Sequence, residues 1–168
     1  MIKFQKLLFL SIFIGAFGLV VAQTPKEFEA NYAKRIKLEM INGVYIPVDL
    51  EDAFSELTRL SDAAGIANFK NAPDSLIAKS HFGLVKWVQL NWGLDEGSRL
   101  SHYLKLKGIS VPDDMARVIV LLYHRHLNGQ PLMFEAEVAK IAKRMDLEKM
   151  KRDSTQVIKI IEKRPHKE

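Results

Sequence analysis

The stretch ISVPDDMARVIVLLYHRHLNG, residues 109–129, decides the fold. Pro112 suits the first turn of a helix, Asp113 and Asp114 favour its positive end, and Gly129 is placed to stop it. Between them MARVIVLLY is apolar on nearly every side. Such a helix has no face to give to water, so the pattern predicts a buried central helix with others packed around it.

Upstream, the run from Ile77 through HFGLVKWVQLNWGLDEGSRL (81–100) places Ile77, His81, Leu84, Val88 and Asn91 on one helical face, the buried one, with Gly93 as its stop. Pro73 in NAPDS (71–75) is tolerated in the opening turn of that helix. Ser98 can cap the next helix, which carries Leu100, Tyr103 and Leu104 and closes at Gly108. Further upstream, Asp49 caps a helix with the stripe Leu50, Phe54, Leu57 and Leu60, ended by Gly65. INGVYIPVDL (41–50) breaks the helical pattern. Asn42-Gly43 signals a turn, Pro47 excludes helix, and residues 44–47 read as a short extended segment. Before it, Phe28, Tyr32, Ile36 and Met40 stand at helical spacing. After Pro131, Phe134, Val138, Ile141 and Met145 form one more stripe, and then the phase is lost. With almost no strand signal, the fold class is all-α: a small helical bundle of five or six helices with short links.

Residues 1–22 have a different character. Lys3 and Lys6 precede the uncharged run LLFLSIFIGAFGLVV (7–21), and Val20 and Ala22 supply the cleavage pattern of a secretory signal peptide. The run is shorter than the roughly 20 residues of a spanning helix. Cleavage after Ala22 and export to the periplasm or beyond are expected. The sequence has no cysteine, which excludes a disulfide framework, a thiolate metal site, a cysteine nucleophile and a lipoprotein anchor. The expected plan is a signal peptide (1–22), an amphipathic helical segment (23–43), a helical domain (44–145) and a basic C-terminal tail (146–168).

Residues 143–168 hold nine Lys/Arg against five Asp/Glu, whereas residues 23–142 hold fourteen against fifteen. The body is near neutral and the tail is basic. Such a tail can meet an anionic surface, although a charge run of this kind is most often a solvated helix. No nucleic-acid-reading motif is present, so no nucleic-acid partner is expected.

The sequence holds no Gly-rich phosphate loop, nucleophile elbow or HExxH. His124 and His126 are two apart on a helix and point to different faces. A metal site would need distant segments, such as His81, His124 and Asp113, and no metal or cofactor is expected. Asp113 and Asp114 suit capping and pairing with Arg117 better than acid–base work. Trp87 and Trp92 read first as core bulk. Arg99 can pair with Asp95, Glu96 or the Asp113-Asp114 pair, or meet an anionic ligand.

YIPVDLEDAFSEL, HFGL, NWGL, GSRL, GISVPDDM and YHRHLNG together resemble an uncharacterised bacterial family, a domain of unknown function, over about residues 44–130. The resemblance implies a small helical domain and supplies no activity or cofactor. The family pattern carries a second Trp-Gly step where Asp95-Glu96 stands here. The matching positions overlap the candidate functional cluster, which is His81, Asn91, Trp92, Arg99, Asp113, Asp114 and His124.

The balance is against an enzyme. The expected function is that of an exported, non-enzymatic binding or interaction module of the bacterial cell envelope, meeting a protein or another envelope component. The alternative is a hydrolase-like or metal-assisted enzyme with a site built from His81, Arg99, Asp113 and His124, supported by Asn91. That alternative requires these groups to converge in one cleft.

Overall fold

Helix after helix, with one small hairpin, makes up the described part of the chain. The computed structural model describes residues 24–73, 77 and 83–162, with side chains as far as Thr155. The expected signal peptide, the helix start at Asp74-Ser75, and His81 and Phe82 lie outside the described residues. The elements are α1 (Pro25–Arg35), β1 (Met40–Ile41), β2 (Val44–Tyr45), α2 (Leu50–Leu60), α3 (Ala63–Lys70), α4 (Leu84–Asn91), α5 (Arg99–Leu106), α6 (Pro112–Leu127) and α7 (Phe134–Glu162).

The class is all-α, with seven helices among the described residues rather than five or six. The extra helix comes from Gly65. Gly65 is not the stop its type and place suggest: α2 ends earlier, at Leu60, because Ser61 is extended. Asp62 then caps a new helix, its side chain accepting from the Gly65 N–H. Leu60 is correspondingly exposed rather than part of the buried stripe.

The extended segment is one arm of a hairpin. Strands β1 and β2 pair antiparallel, with Met40 opposite Tyr45 and Ile41 opposite Val44. Asn42 and Gly43 both take positive φ, 51° and 79°, as the favoured two-residue hairpin turn requires.

Helix α6 is the centre. It packs against α2, α3, α4, α5 and α7. Met115, Val118, Ile119, Val120, Leu122 and Tyr123 are all buried along it. Tyr123 lies between Phe54 of α2 and Phe69 of α3, with ring centroids 6.1 and 5.5 Å away. Ser98 caps α5 as expected. It forms a capping box with Ser101, and both side chains are wholly buried.

Helix α7 reaches the core with Phe134, Val138 and Ile141, and Arg144 still pairs with the buried Asp114 of α6. It runs unbroken through residue 145 to Glu162. From Ala142 to Thr155 every residue is exposed.

Candidate functional site

A cleft of about 250 Å³ opens where the hairpin and the end of α1 meet the link after α4. Its construction starts with two α1 residues three apart, Tyr32 and Arg35, which therefore share a face. The Arg35 Nε–H donates to the Gly97 carbonyl at 2.8 Å, and Nη2 is 3.1 Å from Glu96 Oε2. The Tyr32 hydroxyl is 3.0 Å from His102 Nδ1, and Lys105 Nζ stands 4.4 Å from the Tyr32 ring centroid. Burial pushes the Tyr32 phenol pKa up. No α1 residue is buried. The helix is therefore attached by these polar and aromatic contacts rather than by a core.

Ile41 gives the cleft a buried apolar wall, and Leu90, 59% exposed, lines it as well. Asn42 and Gln89 contribute amides, and Asp95 and Glu96 contribute carboxylates. Gln89 Nε2 donates to Asp95 Oδ1 at 2.9 Å, tying the last turn of α4 to its link.

The residues singled out in the sequence fall in separate places. Asn91 lines the cleft and is half-buried, not on the buried face. Its Nδ2 donates back to the Trp87 carbonyl at 2.9 Å, a local bond that turns the amide along its own helix. Trp92 is fully buried and meets Trp87 edge-on, with centroids 6.0 Å apart. Its Nε1 has no hydrogen-bond partner among the described residues.

Arg99 pairs with none of Asp95, Glu96, Asp113 or Asp114. Its Nε–H donates to the Ile46 carbonyl at 2.6 Å, its guanidinium sits 5.1 Å from the Tyr45 ring centroid, and Nη1 is 3.8 Å from Glu39. The cause is the hairpin. Strand β2 stops at Tyr45, so the next carbonyl, wholly buried with Ile46, needs a donor from elsewhere. The Tyr45 hydroxyl in turn donates to Asp52 Oδ2 at 2.8 Å, and that hydrogen bond raises the phenol pKa.

Neither Asp113 nor Asp114 caps α6. Pro112 takes the first helical position, so the cap falls on Val111, which has no side-chain cap bond, and both carboxylates lie inside the first turn. Asp113 accepts from Arg117 Nε at 2.8 Å, as the spacing allowed. Asp114 is buried and pairs with Arg144 of α7. His124 Nε2 is 3.2 Å from the Lys70 carbonyl at the end of α3, to which Asn128 Nδ2 also donates at 3.1 Å. Asp113 and His124 are eleven residues apart on one helix, about 16 Å along its axis. Arg99 serves the hairpin. The three do not converge, and His81 falls outside the described residues. Among the described residues no group of three or more His, Asp or Glu is placed to hold a metal ion.

A second polar seam joins α6 to α7. Glu137 Oε1 accepts from Arg125 Nη2 at 2.8 Å and from Lys140 Nζ at 2.9 Å, and Arg125 Nη1 donates to the Leu132 carbonyl at 2.7 Å. Burial pushes the Glu137 carboxyl upward, but these two cations outweigh it and hold the carboxyl below its ordinary value. Sequence reasoning missed Arg35, Glu137 and Arg144 as docking residues. Arg35 and Arg144 are joined to partners 62 and 30 residues away, a separation that no local pattern encodes. The one available signal was the placement of Tyr32 and Arg35 on a single turn.

No curated protein and no solved structure matches the chain. Residues 46–127, from the end of the hairpin to the end of α6, match the model of a family described as Domain of unknown function (DUF6794).

Proposed function

We propose that this protein is an exported, non-enzymatic interaction module of the bacterial cell envelope that receives an extended segment of a partner protein in the cleft beside α4. The cleft is the observation that carries this reading. At about 250 Å³ it is smaller than the usual range for an enclosed small-molecule site. Its apolar wall, flanking amides and exposed carboxylates suit a short peptide stretch with a basic side chain. The Asn42 amide can bond a peptide backbone, and Asp95, together with the Glu96 carboxylate already paired with Arg35, can meet a cation. The separate placement of Arg99, Asp113 and His124 supports binding over catalysis. Export is supported by the basic start, apolar run and small-residue end of residues 1–22.

Site-specific photo-crosslinking in cells tests the cleft. A photoreactive residue in place of Leu90 is expected to give a discrete adduct, lost in an Asp95→Lys, Glu96→Lys background. The same probe replacing Leu106, which is exposed on α5, is expected to give none. Identical adducts at both positions, or none at Leu90, would overturn the cleft as the binding surface. Mass measurement of the protein tests export: a chain beginning at Gln23 supports it, and an intact Met1 terminus held in the membrane fraction contradicts it.

A further inference from the structure

We infer that the exposed half of α7 carries a second interaction face, directed away from the body and shaped for an anionic lipid surface. The first stripe of this helix, Val138 and Ile141, packs on the core. The second begins at Leu147 and Met150, which are 49% and 65% exposed. Val138 and Leu147 are nine residues apart, about two and a half turns of one continuous helix, so they face opposite sides. The apolar phase lost after Met145 is therefore a half-turn shift along an unbroken helix rather than a helix end.

Two stripes on opposite sides of one helix call for two partners, and the body is only the first. From Ala142 to Thr155 every residue is exposed, Arg144 with its pairing to Asp114 of α6 included, and isolated helices of that length are marginal in water. Beyond the Arg144–Asp114 pair, the i,i+4 pair from Arg144 to Glu148 is an exposed one and adds only a few tenths of a kilocalorie per mole.

Charge selects the partner. Lys143 and Lys151 are each four residues from Leu147, on its own face, with Ser154 completing the surface. Glu148 projects more than a quarter-turn away from both Leu147 and Met150, whereas Asp146 and Asp153 stand four residues before and three after Met150, at the edge of the face. Their distribution leaves Leu147 bracketed by two lysines. A second copy placed here would bring four lysines together. An anionic headgroup layer would instead take the ammonium groups while Leu147 and Met150 enter the boundary with the acyl chains. The net surplus of four cations over residues 143–168 acts in the same direction. This inference does not depend on the cleft.

The absence of cysteine allows a test that isolates the face. Met150→Cys and Glu148→Cys, made singly in the full chain, each accept one polarity-sensitive fluorophore. Vesicles of phosphatidylcholine containing a quarter phosphatidylglycerol are expected to shift the Met150→Cys probe to the blue and to leave the Glu148→Cys probe unchanged. Adding Lys143→Glu and Lys151→Glu is expected to weaken that response by more than tenfold, since each cation near such a surface contributes about 1 kcal/mol. A Leu90→Lys variant, which alters the cleft, should respond like the parent, so failure of one surface is distinguishable from failure of the other. Three results would overturn the inference: no shift, an equal shift with phosphatidylcholine alone, or a shift that grows with protein concentration without vesicles. The last would make a second copy the occupant. Circular dichroism of each variant confirms that the helices are retained.

Discussion

The Tyr32 ring lies directly on Gly97, so closely that a Cβ at Gly97 would stand 2.2 Å from Tyr32 Cδ2. Gly97 also has φ +95°, a conformation that other residues adopt at a cost. Two separate penalties therefore attach to Gly97→Ala. The backbone strain is about 1 kcal/mol, and the displacement of Tyr32, with the loss of its contacts to His102 and Lys105, adds about as much again. With Tyr32→Ala in place, only the strain remains. Urea unfolding of the parent, both single variants and the double variant is expected to show a double variant less destabilised than the sum of its parts. Strict additivity would mean that α1 does not depend on this contact.

Arg99 is predicted to be a stability residue. Its removal leaves the buried Ile46 carbonyl without its donor, a loss of about 1–3 kcal/mol. Arg99→Lys should not restore this, because a single ammonium cannot reach the carbonyl and lie over Tyr45 as the flat guanidinium does. Both variants are measured by chemical denaturation. An Arg99→Ala protein of parental stability would return Arg99 to the list of ligand-binding residues.

The central helix was legible because MARVIVLLY is a local pattern, as were the stops at Gly93, Gly108 and Gly129, each with positive φ in the structure. The Asn42-Gly43 turn and the Ser98 cap were legible for the same reason. The α2–α3 boundary was not. Gly65 is an equally good stop for one helix and first-turn residue for the next, and only the extended Ser61 decides between them. The partners of Arg99 and Asp114 were not legible either. They lie on the hairpin and on α7, and arginine side chains reach whichever buried acceptor the packing leaves without a donor. The cleft depends on residues from α1, the hairpin and the link after α4, so it comes into being only with the tertiary fold.

Glu137 gives the protein an acid-sensitive clamp. Its folded-state pKa lies below the ordinary 4.5, so the stabilisation is fully present above pH 4.5 and is lost as pH falls through the folded value. At neutral pH, Glu137→Gln should cost about 2 kcal/mol, since it leaves Arg125 and Lys140 without their carboxylate. As pH falls through that lowered folded-state value the parent carboxyl itself becomes protonated, and the gap between parent and variant should close. Thermal unfolding of both across pH 3–7 checks this. A gap that stays constant with pH would mean that the carboxylate charge contributes nothing to the α6–α7 seam.

Trp92 separates bulk from polarity. Its ring is wholly buried at the end of α4, and its Nε1 donates to nothing among the described residues. Trp92→Ala should therefore cost about 3–5 kcal/mol through the cavity it leaves. Trp92→Phe keeps most of the ring and gives up no described hydrogen bond, so it should cost no more than about 1.5 kcal/mol. Because Trp92 adjoins Asn91 and Gly93 of the cleft, partner crosslinking at position 90 should survive Trp92→Phe at the parental level. If Trp92→Phe leaves the protein folded but abolishes the crosslink, the indole N–H has a role in binding, and the core reading of Trp92 fails.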